Sequence, residues 1–413
     1  MYNMKPLSGV RVLEFTQAFS GPFCGMMLAD MGADVVKLER PPYGDSARYT
    51  APGRGGITTP FSTRNRNKKS VLMDLKDTHQ RDLFLKMVAD ADVILENFKP
   101  GTLDKYGCGY DVLKSINPGI ILASISGFGQ NGPMSNRAAY DLLVQAESGF
   151  MSICGTSSGE FTGCGYSITD AVAGLTACIG IAISLYAKTK TNKGCHIDIS
   201  MLDSIIATME TPFGGYLMNG LIPKPIGIGH PLAAPFRQFY VKDGKQIFLC
   251  INTDEQWARL CNILQIPEFI DDFRFSSTGS RKENEDEINN IVAQCMLKFN
   301  DEELCKEFDK ANLVYGHLND VGQVVNSEQF KARDMKCNVR YLGSGEVIPV
   351  TASALKISNM EHETEYVTYP IGYHTIEEIS KYVDIETAHE IYDPILAETK
   401  KASEARLIRA KII

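Results

Sequence analysis

A chain of 413 residues exceeds the usual size of one hydrophobic core and predicts two domains, or one large domain carrying a smaller one. Hydrophobic residues at 44% and charged residues at 22% are ordinary globular usage and exclude a disordered or low-complexity chain. A formal charge of −8 argues against non-specific coating of nucleic acid, so any phosphate site must be a local basic pocket. In chain order, short Val-, Ile- and Leu-rich runs at Val10–Phe15, Asp34–Leu38, Ser70–Leu72, Val93–Glu96 and Ile120–Ile125 read as strands. Helical lengths such as Cys24–Met31 and Thr78–Ala91 separate most of them, the alternation of a doubly wound parallel sheet, whose neighbours need crossovers.

The turn after the first strand, Thr16 to Pro22, lacks G-x-G-x-x-G. This counts against a nicotinamide dehydrogenase, whose glycines let the backbone approach a pyrophosphate. Ser20 or Gly21 suits a helix cap there, and Pro22 its first position. Ala171–Lys188 is almost wholly apolar or small and predicts a helix buried on most sides, with Asp170 at its amino end. A strand at Cys195–Ile199 and a helix at Leu202–Met209 follow. Residues 218–235 hold four prolines and three glycines and read as a linker, closing a first segment of 1–217. A smaller α/β domain is expected over 236–325, with a strand at Gln246–Ile251 and helices at Glu255–Leu264, Glu285–Phe299 and Asp301–Ala311. Residues 326–413 are expected to return to the large domain.

Eleven cysteines, an odd number without a C-x-x-C pair, read as reduced core thiols rather than a disulfide framework or zinc cluster. With no apolar signal run at the N-terminus, the expected compartment is the cytoplasm, with no membrane partner. Asp170, within Ser167-Ile168-Thr169-Asp170-Ala171, has two readings on local sequence: a helix N-cap, or a carboxylate nucleophile at a helix start.

Ordered motifs along nearly the whole chain weigh on that choice. They are Leu7-Ser8-Gly9-Val10, Ser20-Gly21-Pro22, Gly32-Ala33-Asp34, Asn67-Lys68-Lys69-Ser70, Glu96-Asn97-Phe98-Lys99-Pro100-Gly101, Ser126-Gly127-Phe128-Gly129, Ala139-Tyr140-Asp141, Gly229-His230-Pro231 and Gly372-Tyr373-His374-Thr375. In this pattern the sequence resembles the class III CoA-transferases, the group of formyl-CoA:oxalate and carnitine CoA-transferases. The resemblance implies a large Rossmann-like domain plus a smaller α/β domain, in an interlocked homodimer. It implies that Asp170 is the nucleophile, forming aspartyl anhydride and aspartyl-CoA thioester intermediates. A carboxylate ordinarily ionises near pH ~3.9 and needs no partner base, and the positive end of the following helix favours that form.

The same resemblance places coenzyme A contacts at Gln17 and Ala18, Arg40, Met73 and Lys76, Asn97, Phe98 and Lys99, Lys105, and Tyr140. Acyl-CoA thioesters are substrates in this reading, a small carboxylic acid is the acceptor, and no cofactor or metal is required. The basic run Arg64, Arg66, Lys68, Lys69 reads either as an addition to the phosphate field or as a solvated face. Gly227–His230 reads as a cover over the site or simply as linker, and His230 as a loop-structuring residue or an acyl contact. Related acyl-CoA racemases carry histidine where this chain has Tyr140. A phenol, ordinarily titrating near ~10, is a poor base at neutral pH, so transfer is favoured over racemisation. A non-catalytic CoA-binding protein is the further alternative, and it predicts no dependence on Asp170.

Overall fold

The computed structural model describes residues 5–360 and 363–412. The chain divides into two compact units, Met1–Phe150 with Cys164–Met218 and Glu328–Ile413, and Met151–Gly163 with Asn219–Ser327. The second unit therefore includes Met151–Gly163, a stretch the sequence pattern places inside 1–217.

The first unit is built on strands β1 (Arg11–Phe15), β2 (Asp34–Glu39), β5 (Lys69–Leu72), β6 (Val93–Glu96), β7 (Ile121–Ser126) and β8 (His196–Ser200), with a short β3–β4 ribbon (Gly53–Arg54, Ile57–Thr58) between β2 and β5. The six long strands form one parallel sheet in the order β5-β2-β1-β6-β7-β8. Counted along the chain, that order runs third, second, first, fourth, fifth, sixth. The winding direction reverses between β1 and β6, which pair with Phe15 opposite Glu96. In open α/β sheets ligands bind beyond the carboxyl ends of the strands at this reversal.

Unbroken burial of β6 and β7 matches their near-continuous apolar runs, as expected of strands covered on both faces. One core packs Leu13, Val36, Leu72, Ile94 and Leu122 against Phe84 and Met87 of the Thr78–Val88 helix, and against Ile379, Ala388 and Tyr392 near the C-terminus. A further sheet of β12 (Lys336–Tyr341), β13 (Val347–Thr351) and β14 (Glu365–Thr368), in the order β13-β12-β14, completes the unit. In the second unit, β9 (Phe236–Tyr240), β10 (Gln246–Cys250) and β11 (Val314–His317) form an antiparallel sheet in the order β11-β10-β9. Its own core gathers Phe239, Ile247, Leu249, Trp257, Leu260, Val292 and Phe308.

Two expectations are corrected. The long apolar helix, Ile168–Thr191, is not buried on most sides: only Thr169, Ala171, Ala173, Gly174, Ala177 and Ile181 are. Leu175, Ile179, Ile183 and Tyr186 stand exposed along another face of this helix. Composition gave the helix but could not tell which face the chain itself covers. The helix is also long and apolar enough, by length and composition alone, to cross a membrane. The basic run is neither a solvated face nor a phosphate cluster. Arg66 makes a bidentate pair with buried Asp30 at 3.0 and 2.6 Å, and Lys68 is buried on Glu14 at 2.8 Å. Lys69 pairs with Asp34 at 2.8 Å and Glu378 at 2.9 Å. Only Arg64 turns towards the end of the sheet that carries Asp170, as described next.

Candidate active site

The turn leaving β1 sits at the sheet reversal and is held in an uncommon backbone. Ala18 adopts φ +65°, a left-handed conformation that costs a non-glycine residue about 1–3 kcal/mol. Three side chains fix it. Its N–H donates to buried Asp45 at 3.0 Å, and its carbonyl accepts from Arg64 at 2.5 Å. The neighbouring Gln17 is clamped on both backbone groups by the Asn97 carboxamide, each bond 2.9 Å. Asn97 follows β6, so its amide ties together the two strand ends flanking the reversal.

Beneath this turn lies a buried ionic group. Glu14 binds Lys37 at 3.0 Å and Lys68 at 2.8 Å, and Lys37 reaches Asp45 at 3.0 Å. Two acids and two bases balance, as buried charges must. Burial lowers the Lys68 ammonium to about 8 against the opposing pull of Glu14.

Asp170 lies in the first turn of the Ile168–Thr191 helix, whose N-cap Ser167 makes no side-chain cap bond. The capping duty falls instead to Asp141, from the Asp141–Glu147 helix. Its Oδ1 accepts from the Thr169 N–H at 2.8 Å and the Thr169 hydroxyl at 2.7 Å, and reaches the Asp170 N–H at 3.4 Å. Its Oδ2 accepts from Gln145 at 2.6 Å. The Asp170 carboxylate is thereby relieved of capping, and its charged form is favoured by Ser20, the first residue of the Ser20–Asp30 helix, which lines the same cavity. Ser20 is thus not the side-chain cap that its position suggests: Phe19 is the N-cap, without a side-chain bond. Two helix N-termini converge on one half-buried carboxylate.

Burial, and then the charge of Asp141, push the Asp170 carboxyl up to about 6, while Ser20 and Arg64 pull it down. The helix end expected to favour ionisation is therefore outweighed by desolvation and a like charge. Arg64 also lies over the Phe19 ring, 4.4 Å from its centroid.

Asp170 opens onto a cavity of about 280 Å³ whose walls include Gln17, Ala18, Ser20, Asn97 to Pro100, Ser126, Gly127, Arg137 to Tyr140 and Met201. Gly127 is required by a close approach, since a Cβ there would stand 2.1 Å from that of Ala139. A second cavity of about 220 Å³ shares Gln17 and Phe98 and adds Arg40, Met73, Thr102 and Tyr106. A family model described as "CoA-transferase family III" matches residues 7–375.

The chain belongs to CoA-transferase family III. Moving coenzyme A between acyl groups is accordingly its class of chemistry. It is 38% identical over 80% of its length to an acetyl-CoA:oxalate CoA-transferase of Acetobacter aceti, covering 85% of that protein. It is 34% identical over 94% of its length to a succinate–glutarate CoA-transferase of Agrobacterium fabrum, covering 98% of that protein. A crystal structure of a CaiB/BaiF family protein from Brucella suis superposes with a TM-score of 0.81 at 32% identity, over 92% of this chain and all of that one. A Mycobacterium tuberculosis structure gives 0.79 at 28%, over 90% of this chain and 98% of that one.

Of the residues that the family resemblance marks, the structure brings Asp170, Gln17, Ala18, Asn97, Phe98, Lys99 and Tyr140 to one cavity, and Arg40 and Met73 to the adjoining one. Tyr140 is 83% exposed. Lys99 has no ion-pair partner among the described residues and leaves its ammonium for an anionic ligand, whereas Arg40 is paired with Asp74 at 3.1 Å. Both amide groups of Asn97 already serve the Gln17 backbone, so its place is to shape the turn. Lys76 and Lys105 are exposed and line neither cavity. His230, in the second unit, stacks on Phe236 at 4.7 Å while its Nδ1 accepts from the Leu232 N–H at 3.2 Å, which accounts for it as a loop-structuring residue.

Ser20, Asp141 and Arg64 were missed as partners of Asp170. Asp141 stands 28 residues before the N–H it caps, and no local spacing rule reaches that far. The only available signal was that a second acidic residue, at Ala139-Tyr140-Asp141, sits just before a helical stretch.

Proposed function

We propose that this protein transfers coenzyme A from an acyl-CoA donor to a small carboxylic acid, with Asp170 as nucleophile. The observation carrying the proposal is that the Asp170 carboxylate is freed from capping by Asp141 and open to the cavity at the sheet reversal. At about 6, its carboxyl is still mainly ionised at neutral pH and more basic than an ordinary aspartate.

In the proposed reaction an Asp170 oxygen attacks the donor thioester carbonyl and expels CoA thiolate, leaving an aspartyl anhydride. The thiolate attacks the aspartyl carbonyl, releasing the donor acid and leaving an aspartyl-CoA thioester. The acceptor carboxylate attacks that carbonyl and expels the thiolate again. Attack of the thiolate on the acceptor carbonyl then frees acceptor-CoA and restores Asp170. Ser20 favours the ionised nucleophile, and Lys99, which lines the cavity, would supply the positive charge for a CoA phosphate. Relatives named for oxalate and glutarate make short dicarboxylates the first acceptors to test.

We further propose a cytoplasmic homodimer. The cysteines form no disulfide among the described residues, and the exposed stripe Leu175, Ile179, Ile183, Tyr186 suits burial against a second copy. The deciding experiment incubates the protein with acetyl- or succinyl-CoA and a panel of acids, and reads new acyl-CoA by mass spectrometry beside Asp170→Ala. New acyl-CoA from the wild type alone, with a hydroxylamine-trapped adduct on Asp170, is expected. Transfer persisting in Asp170→Ala would overturn the nucleophile. Exchange of an acyl-CoA α-proton in D₂O without transfer would replace the reaction by racemisation.

A further inference from the structure

Within the second unit, three side chains of different chemistry converge without any part in the proposed transfer. Asp301 and Cys305 lie four residues apart on the Asp301–Lys310 helix and so share one face, and His317 ends β11, the edge strand of the sheet. His317 Nε2 is 2.7 Å from Asp301 Oδ1, Cys305 Sγ is 3.6 Å from the same oxygen, and Sγ is 3.7 Å from Nε2. This is the one place among the described residues where three such donors meet. From these contacts we propose that Asp301, Cys305 and His317 form a zinc-binding site that clips the helix to the edge strand.

Zinc bonds of about 2.3 Å to sulfur and about 2.0–2.2 Å to nitrogen and oxygen put tetrahedral ligand atoms roughly 3.3–3.6 Å apart. The two separations involving sulfur already have that size, and only the Asp301 to His317 separation must widen, by about 0.6 Å. A mixed thiolate, imidazole and carboxylate set suits this borderline cation better than calcium or magnesium, which prefer oxygen alone. The surroundings hold the donors in place. Lys245 occupies Asp301 Oδ2 at 2.8 Å, leaving Oδ1 to the cluster, and Tyr315 donates its hydroxyl to Asp309 at 3.0 Å and sets its ring edge-on to His317. Asp301 is buried, Cys305 half-buried and His317 open to solvent, which gives the cation an entry path and leaves a fourth position for water. On binding, the Cys305 thiol proton is released to solvent and His317 carries its remaining ring proton on Nδ1.

The test is titration of the full-length, chelator-treated protein with Zn²⁺ by equilibrium dialysis, and with Co²⁺ by absorption. One Zn²⁺ per chain and a near-ultraviolet thiolate-to-Co²⁺ band are expected, both weakened at least tenfold in Cys305→Ser and in His317→Ala. Cys250→Ser serves as the cysteine control and is expected to bind normally. Circular dichroism of each variant separates loss of the site from loss of the fold. Absence of Zn²⁺ binding by the wild type at 100-fold molar excess, or binding unchanged in both folded variants, would sink the proposal. In either case the three side chains are joined by hydrogen bonds alone.

Discussion

At the scale of single residues, Asp170 and Asp141 divide two duties between two carboxylates at one helix start. Because burial and Asp141 hold the Asp170 carboxyl near 6, kcat/KM should rise with pH through about 6 and level off above it. Asp141→Asn removes the like charge, so the acid limb should move to lower pH. Ser20→Ala removes a group that favours the ionised form and should move the limb upward. Opposite shifts in the two profiles are the checkable result. A buried group beside the site has its own pH signature. Burial raises Glu96 to about 7, although it accepts from the Phe98 N–H at 2.6 Å. The folded state thus binds one more proton than the unfolded chain between 4.5 and about 7, and stability should fall as pH rises across that window. Urea melts of Glu96→Gln should show a shallower fall of stability with pH than the parent, the remainder coming from Asp170, which is also raised, to about 6.

At the scale of elements, the Ile168–Thr191 helix and the Ser20–Asp30 helix meet at Gly174, where a Cβ would stand 2.7 Å from the Ser20 carbonyl. Gly174→Ala should therefore both destabilise the fold, by about 1–3 kcal/mol in urea unfolding, and displace Ser20 from Asp170, lowering kcat more than KM rises. The parallel strands were legible because buried strands need continuous apolar runs, and β6 was placed to the residue for that reason. The helix carrying Asp170 was legible in extent but not in burial, since its apolar residues run all round and periodicity names no inner face. The basic run misled for a related reason. Arg66 and Lys68 look like surface charges until Asp30 and Glu14, distant in sequence, come to meet them. Ala18, in a turn the sequence marks for ligand contact, gave no sign of its left-handed backbone, because groups distant in sequence, Asp45 and Arg64, bond its N–H and carbonyl.

At the scale of the molecule, the exposed apolar stripe of the proposed dimer lies on the helix that also carries Asp170. Ile179 and Ile183 are 60% and 63% exposed. Light scattering after gel filtration should give twice the chain mass for the wild type, and a shift towards one chain for the double substitution Ile179→Glu and Ile183→Glu. A monomeric wild type would remove the proposed dimer without touching the chemistry at Asp170.

The first unit is closed by a segment made about 300 residues after the strand it covers. On the edge strand β5 the Ser70 N–H donates to His374 Nδ1 and the Leu72 N–H donates to the Thr375 hydroxyl oxygen, 303 residues later, and Arg11 on β1 reaches Glu378. At synthesis rates of about 5–20 residues per second, roughly 15–60 s separate the emergence of Leu72 from that of Thr375. During that interval β5 is an open sheet edge with an uncovered apolar side, while the second unit, continuous apart from Met151–Gly163, can fold first. A nascent chain arrested before residue 370 should accordingly stay sensitive to protease in its N-terminal half while 219–327 becomes resistant.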